Sequence, residues 1–400
     1  MIFSQLNIVE WSLVGLLFAL FVVQIYFYGR YMAAPARRLR KNRPSSASAN
    51  PSPATPGVSV VLCAHNEGEN LANYLQALLT QDYPEYEVIV VDDGSEDDTR
   101  AIIEMYMTHD ARLRMTFVPY GARVGSTKKL ALTLAAKAAR YDFLLLTDAD
   151  CVPESNGWIR SMMAGFSHPS STDIVLGFSP YFEEKGAINR LTRFDTLFNG
   201  LHYLGAAICG HPYMGVGRNL AYRKALFFES GGFTHLMTNR AGDDDLFVNH
   251  VATKSNTAVV VNRESFTWSK SKRTLKEWWQ QKRRHLSVSP AYREQTKFRL
   301  ALEPLSRGLF YLTVIATLVW AILHSQFSIL NFQFSTPELL ICIALGLFLV
   351  RWIVQTAVIN TSARRMGLKR FSMCTILGYD ILLPLINLWM LVVPRKMYKW

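Results

Sequence analysis

Apolar residues fall along the chain in two patterns. In the first, runs of spanning length carry almost no charge: residues 8 to 28, 308 to 323 and 339 to 360, the last interrupted by Arg351. Runs of this length match the hydrocarbon thickness of a bilayer and predict membrane-crossing helices. A fourth run, 374 to 394, contains Asp380 and Pro384, and either a full crossing or a broken, re-entrant segment suits it. In the second pattern, short apolar runs of strand length alternate with stretches of helical spacing. The runs are VSVVLC (58–63), YEVIVVDD (86–93), RMTFVP (114–119) and YDFLLLTD (141–148), and the helical stretches are 67 to 80, 97 to 108 and 127 to 140. Alternation at this interval predicts βαβ units and an α/β domain with a mainly parallel central sheet. Right-handed crossovers put strand ends of one kind on one edge, and open sheets of this type bind ligands beyond the carboxyl ends of their strands.

The two patterns divide the chain into four parts: an N-terminal transmembrane helix (1–30), a basic linker rich in Pro and Ser (31–57), an α/β domain with interfacial amphipathic helices (58–300), and a C-terminal membrane region of two spans plus a third candidate (301–400). The first run is not read as a signal peptide, because its apolar core is long and no Lys or Arg precedes it. The basic stretch behind it, GRYMAAPARRLRKNRP, places the middle of the chain in the cytosol by the positive-inside rule. Half of the residues are hydrophobic and the net charge is +12, with the cations beside the spans and in 270 to 299. That distribution suits an integral membrane protein lying against an anionic surface. No nucleic-acid motif is present, and no nucleic-acid partner is expected. Five cysteines without a CxxC spacing read as reduced packing residues.

The predicted sheet edge collects acids. His65, Asn66 and Glu67 follow the first strand, Asp92 and Asp93 the second, and Asp148 and Asp150 the fourth. Each group has a plain reading as a turn or helix cap. Together they repel, and a divalent cation among them relieves the repulsion. Hard carboxylate oxygens at Asp148 and Asp150 suit Mg²⁺ or Mn²⁺, which keeps water and substrate phosphates as its other ligands. No glycine-rich phosphate loop follows the first strand, so a diphosphate needs that ion. Further on, Asp243, Asp244 and Asp245 precede an apolar helical pattern, where they serve as helix-dipole partners or supply a general base. A basic amphipathic helix, KEWWQQKRRHL, then offers Gln281, Arg284 and His285 to a site or to a membrane surface. A rival reading takes DADCV as the signature of haloacid-dehalogenase-like phosphatases, although there the first Asp ends the first strand and here it follows the fourth.

In this order the motifs resemble those of the membrane-integrated family 2 glycosyltransferases, over about residues 58 to 290 and the flanking helices. The resemblance implies a GT-A nucleotide-sugar-binding domain. It also implies inverting transfer from a nucleotide diphosphate sugar, with a uridine diphosphate sugar foremost, to a lipid-linked or glycan acceptor at the cytosolic face of a bacterial inner membrane. CAHNE (63–67) is similar to the family's Pro-x-Tyr-Asn-Glu, which implies donor contacts at Ala64, His65, Asn66 and Glu67. VDDGS is similar to its nucleotide-contacting Asp-Asp-Gly-Ser, with Asp92 and Asp93. KKLALT (128–133) looks like Gly-Lys-x-x-Ala-Leu-Asn, the glycine displaced to Gly125 and the asparagine replaced by Thr133, and implies Lys128, with Lys129 as the alternative, as the diphosphate partner. DAD (148–150) looks like the metal-binding Asp-x-Asp, and GVGRNLAYRKALFFESGGF (215–233) like the glycine-rich segment before the acceptor site. DDD stands where the family has Glu-Asp. Spacing to Leu246 favours Asp243 as the base and spacing to Phe247 favours Asp244, which is preferred. QKRRH (281–285) is similar to Gln-x-x-Arg-Trp, with His285 in place of the tryptophan that stacks on a sugar. The altered CAHNE and QKRRH motifs also sustain a non-enzyme alternative, a membrane scaffold with a degenerate domain of this kind.

Overall fold

A computed structural model describes residues 6–41, 55–119, 121, 126–167, 171–236, 241–325 and 336–392. In chain order its elements are α1 (Ile8–Phe27), α2 (Ala34–Lys41), β1 (Val58–Ala64), α3 (Gly68–Leu79), β2 (Tyr86–Asp92), α4 (Thr99–Met107), β3 (Leu113–Phe117), α5 (Thr127–Ala138), β4 (Phe143–Leu146), β5 (Cys151–Pro153) and α6 (Trp158–Met163). There follow β6 (Ile174–Leu176), α7 (Ala187–Ile208), β7 (Leu220–Arg223), α8 (Lys224–Glu229), α9 (Asp245–Val251), β8 (Thr257–Val259), β9 (Thr267–Ser269), α10 (Leu275–Leu286), α11 (Glu294–His324), α12 (Thr336–Arg365) and α13 (Met373–Val392). They belong to two compact units, one of Met1–Ala33, Glu294–Arg364 and Leu368–Trp400, the other of Ala34–Arg293 with Arg365–Gly367. Within the stretch read as a linker, Ala34–Lys41 is helical and 42–54 lies outside the described residues.

The second unit is built on a seven-stranded sheet in the order β3-β2-β1-β4-β7-β6-β8. Strands β3, β2, β1 and β4 are mutually parallel, β7 is antiparallel to β4 and β6, and β8 runs parallel to β6. β2 is buried along its whole length and β1 at all but one residue, as expected of strands covered on both faces. Their core side chains pack with Leu71, Leu75 and Leu78 of α3 and with Trp158, Ile159 and Met162 of α6. The four apolar runs of the sequence are the first four strands, each within a few residues of its expected ends. A two-stranded ribbon, β5 with β9, extends from the sheet directly after Asp150.

In the other unit α11, α12 and α13, together with the helix that begins at Ile8, are long and apolar enough to cross a membrane. Of the run at 374 to 394, for which a broken path was one expectation, the described part up to Val392 is a continuous helix through Pro384. Its buried Asp380 is met by partners from other helices. One carboxylate oxygen accepts from Arg307 Nη1 (2.8 Å) and Gln355 Nε2 (2.7 Å), the other from Arg351 Nη1 and Nη2 (both 2.9 Å) and from the Tyr311 hydroxyl (2.6 Å). Arg351 also donates to Gln24 Oε1 and Tyr28 Oη of the N-terminal helix. The arginine that interrupts the third apolar run and the aspartate that interrupts the fourth are therefore partners, as charges buried among apolar helices must be.

Removing one partner of a buried ion pair leaves the other charge uncompensated. Asp380→Ala is expected to destabilise the protein by about 3–5 kcal/mol, read as a lowered melting temperature in detergent, and combining it with Arg351→Met should recover part of the loss. An unchanged melting temperature for Asp380→Ala would show that the cluster does not hold the helices.

Candidate active site

Three parallel strand ends and one reversed strand build the rim of the site. β1, β2 and β4 are in parallel register, so Ala64, Asp92 and Leu146 finish on one edge. β7 runs the other way, with Leu220 opposite Leu146, so the turn before it, Gly217–Asn219, arrives at that same edge. The loops there are bound to one another. Asn66, at φ 56°, accepts from the Glu96 N–H, while the N–H groups of Asn66, Glu67 and Gly68 donate to Ser95 Oγ, Thr99 Oγ1 and Asp97 Oδ2. The start of α3 is thus capped by the loop after β2. Asp92 is buried and accepts from the Ser95 N–H in a turn around Gly94, and the Asp93 carbonyl meets His65 Nδ1 at 2.8 Å. In the turn after β4, Ala149 packs into the core while Asp148 and Asp150 remain partly exposed.

Lys128 joins these strand-end acids to acids from much later in the chain. It lies in the first turn of α5, where the helix dipole disfavours a cation. Its Nζ is 3.1 Å from Asp148 Oδ1 and 3.3 Å from Asp243 Oδ2. Desolvation works against the ammonium, but Asp148 and then Asp243 outweigh it and hold Lys128 well above the ordinary lysine range. Burial and next the charge of Asp148 raise Asp150, opposed by Arg218. Burial also raises Glu67; the Asn70 amide opposes the rise, and Asp150 and Asp148 add to it. The Arg218 guanidinium lies 4.4 Å from the centre of the Tyr181 ring and donates to Ser269 Oγ at 2.7 Å. The next residue, Asn219, is fully buried, accepts from Trp158 Nε1, and donates to the carbonyls of Phe178 and Ser265, which anchors the turn carrying Arg218.

The three consecutive aspartates behave differently from one another. Gly242 precedes them at φ 83°, and a Cβ there would sit 2.8 Å from Leu246 and Val288 side-chain carbons, so only glycine makes this turn. Asp244 caps α9: Oδ1 accepts from the Asp245 N–H (2.9 Å) and Oδ2 from the Gly217 N–H (2.6 Å). Burial pushes its carboxyl up, but hydrogen bonds from Asp245 and Gly217 and the charge of Lys128 hold it at about 2. Burial and the neighbouring Asp244 charge raise Asp245 well above the ordinary range, and the Tyr292 hydroxyl bonds it at 3.2 Å. Burial raises Asp243 too, Lys128 opposes, and Asp244 and Asp148 add to the rise. Helix α10 belongs to the same site, since Gln281 Nε2 donates to the Tyr181 hydroxyl at 3.1 Å and the Lys282–Asp195 pair (2.6 Å) ties the helix to α7. Desolvation and then the Arg284 charge push His285 down to about 4, with Asp244 opposing, although the residue as a whole is exposed.

The family model for glycosyl transferase family group 2 matches residues 147–355, a little over half of the chain. The chain belongs to the family 2 glycosyltransferases. The model for glycosyl transferase family 2 also matches residues 59–231. A poly-beta-1,6-N-acetyl-D-glucosamine synthase of Staphylococcus epidermidis is 37% identical over 97 residues, 24% of this chain and 22% of that protein. Glycosyltransferase AglE of Haloferax volcanii is 29% identical over 147 residues, 36% of this chain and 46% of that protein. The chain thus spans less than half the length of these curated relatives. Among solved structures, mannosyltransferase PcManGT from Pyrobaculum calidifontis, in complex with GDP-Man and Mn²⁺, has a TM-score of 0.54 at 19% identity, covering 95% of this chain and 99% of that one. It shares the GT-A fold. The phosphatase and scaffold readings are not favoured.

In this glycosyltransferase Ala64, His65, Asn66, Glu67, Asp92 and Asp93 line the first two strand ends, and Lys128, Asp148, Asp150 and Asp243 cluster beside them. Gly125 lies outside the described residues. Arg218, and Tyr181 against its guanidinium, join this edge without having been singled out in the sequence, whereas Lys129, the other lysine of KKLALT, turns inward to the Leu236 and Ala241 carbonyls. Arg218 stands in GVGRN, and only the reversal of β7 brings it to the edge. The division of labour among the aspartates is measurable. Asp244→Ala, which removes a cap and the Gly217 anchor, should cost about 1–2 kcal/mol in thermal unfolding. Asp243→Asn should leave the melting temperature unchanged or raised, and a larger loss at Asp243 than at Asp244 would contradict the assignment.

Proposed function

We propose that this enzyme is a metal-dependent, inverting glycosyltransferase that moves a sugar from a nucleotide diphosphate sugar, foremost a uridine diphosphate sugar, to a lipid-linked or glycan acceptor at the cytosolic membrane face. The observation that carries this reading is the Lys128 bridge, which sets one cation between the strand-end carboxylate Asp148 and the loop carboxylate Asp243. In the reading, Ala64, His65, Asn66, Glu67, Asp92 and Asp93 border the nucleoside, Lys128 meets the diphosphate, and Gln281, Arg284 and His285 approach it from α10.

Asp148 and Asp150 would hold Mg²⁺ or Mn²⁺. The donor set fits: two hard carboxylates, of which Asp150 is raised first by burial and then by the charge of Asp148. Among the described residues no group of three His, Cys, Asp or Glu side chains could hold a metal. Two protein ligands suit an ion that keeps waters and phosphate oxygens for the rest of its shell. PcManGT carries Mn²⁺ with its nucleotide sugar. When bound, such an ion supplies positive charge against the departing diphosphate.

The acceptor oxygen attacks the anomeric carbon as its proton passes to Asp243. The bond from that carbon to the phosphate oxygen breaks with both electrons leaving on the nucleoside diphosphate, whose charge Lys128 and Arg284 meet. Asp243 suits the base role better than Asp244, which spacing to Phe247 favoured. Both oxygens of Asp244 are engaged by backbone N–H groups and its carboxyl is held at about 2, whereas burial raises the proton affinity of Asp243. His285 in place of a sugar-stacking tryptophan supports a single transfer. The basic stretch after the first helix supports the cytosolic side.

Asp243→Asn should lower transfer by about 10²- to 10⁴-fold, the usual contribution of a general base, while equilibrium dialysis still detects nucleotide binding. Wild-type turnover in that variant would remove Asp243 from the mechanism.

A further inference from the structure

Lys129 presents the opposite case from its neighbour. It is fully buried, one of the largest side chains so placed, and its Nζ donates to the carbonyls of Leu236 (2.8 Å) and Ala241 (2.9 Å). Two adjacent cations in the first turn of a helix both oppose its dipole. Lys128 is compensated by the carboxylates it bridges. For Lys129, burial lowers the proton affinity, while Asp243, then Asp244 and Asp245, act to keep the charge. Simple core packing at this position would be met by Leu or Met at no desolvation cost. The chain instead buries an ammonium whose described partners include two backbone oxygens, one of them immediately before the obligatory Gly242 turn. The adjacent lysines thus grip the chain at two points two residues apart, Lys129 at the Ala241 carbonyl and Lys128 at the Asp243 carboxylate.

We propose that Lys129 is a positioning residue of the transfer reaction, whose buried ammonium anchors Leu236 and Ala241 and so sets Asp243 where it can take the acceptor proton. The proposal rests on Asp243 being the base. Because the anchor and the base are separated only by Gly242, loosening Ala241 moves Asp243 relative to Lys128 and leaves the donor side of the rim, on β1, β2 and β4, in place.

The test uses the full-length protein and the variants Lys129→Met, Lys129→Arg and Asp243→Asn, singly and with Lys129→Met combined with Asp243→Asn. Lys129→Met should lower kcat by about 10- to 100-fold, the scale on which a displacement of an ångström at a reacting group is felt. The donor KM should stay within about twofold, since donor contacts are made elsewhere. Lys129→Arg, which keeps charge and donors, should retain more activity than Lys129→Met. In the Asp243→Asn background Lys129→Met should cause no further loss, because the group it positions is gone. An equal fold-loss in both backgrounds, or a loss carried by a raised donor KM, overturns the proposal. If Asp243→Asn alone keeps wild-type transfer, the base assignment is what fails, and that result is read before Lys129 is altered. Should Lys129→Met not fold, Lys129→Gln, which keeps a donor and removes the charge, is carried through the same cycle.

Discussion

A lysine ammonium held between two carboxylates that enter the site from different parts of the chain is the interaction on which the rest of this site depends. Asp148 stands at the end of a central strand and Asp243 in a loop near α9, and without a shared counter-charge the two would repel. Lys128 lets them approach, at the expense of a cation at the wrong end of a helix. The bridge also gives the proposed reaction an economy. In that proposal a diphosphate arriving at the rim would compete for Lys128, and loosening the Lys128–Asp243 contact would raise the proton affinity of Asp243, so the donor would help prepare the group proposed to activate the acceptor.

The same logic recurs in the unit of long apolar helices. Asp380, Arg307 and Arg351 are charges that composition alone would mark as defects in apolar helices, and in the structure they complete one another with Gln24, Tyr28, Tyr311 and Gln355 as additional partners. In both units a charge that looks misplaced along the sequence has its partner far away along the chain.

That distance explains what could be read from the residues and what could not. The first four strands, their order of appearance and their acidic ends were legible because apolar runs and turn residues are local signals. Asn66, Glu67, Asp148 and Asp150 could be placed at one sheet edge because a parallel sheet brings its strand ends together by rule. Arg218 was not, because its place depends on β7 running against its neighbours, and an antiparallel insertion leaves no periodic mark on a four-residue strand. Nor could spacing separate Asp243 from Asp244; the distinction lies in the Gly217 N–H that engages Asp244, a contact across 27 residues. Lys129 left a local trace, a second cation beside Lys128 at a helix start, but its carbonyl partners lie more than a hundred residues on.

The claim that a cation-dressed acidic rim holds the diphosphate is tested most directly by calorimetric titration of uridine diphosphate into the full-length protein, with Mn²⁺ and then with a chelator in its place. The account predicts saturable binding with Mn²⁺, loss of that binding in the chelator, and weakened binding in Asp150→Ala even with Mn²⁺ present. Binding of equal strength with and without the metal, unaffected by Asp150→Ala, would contradict it.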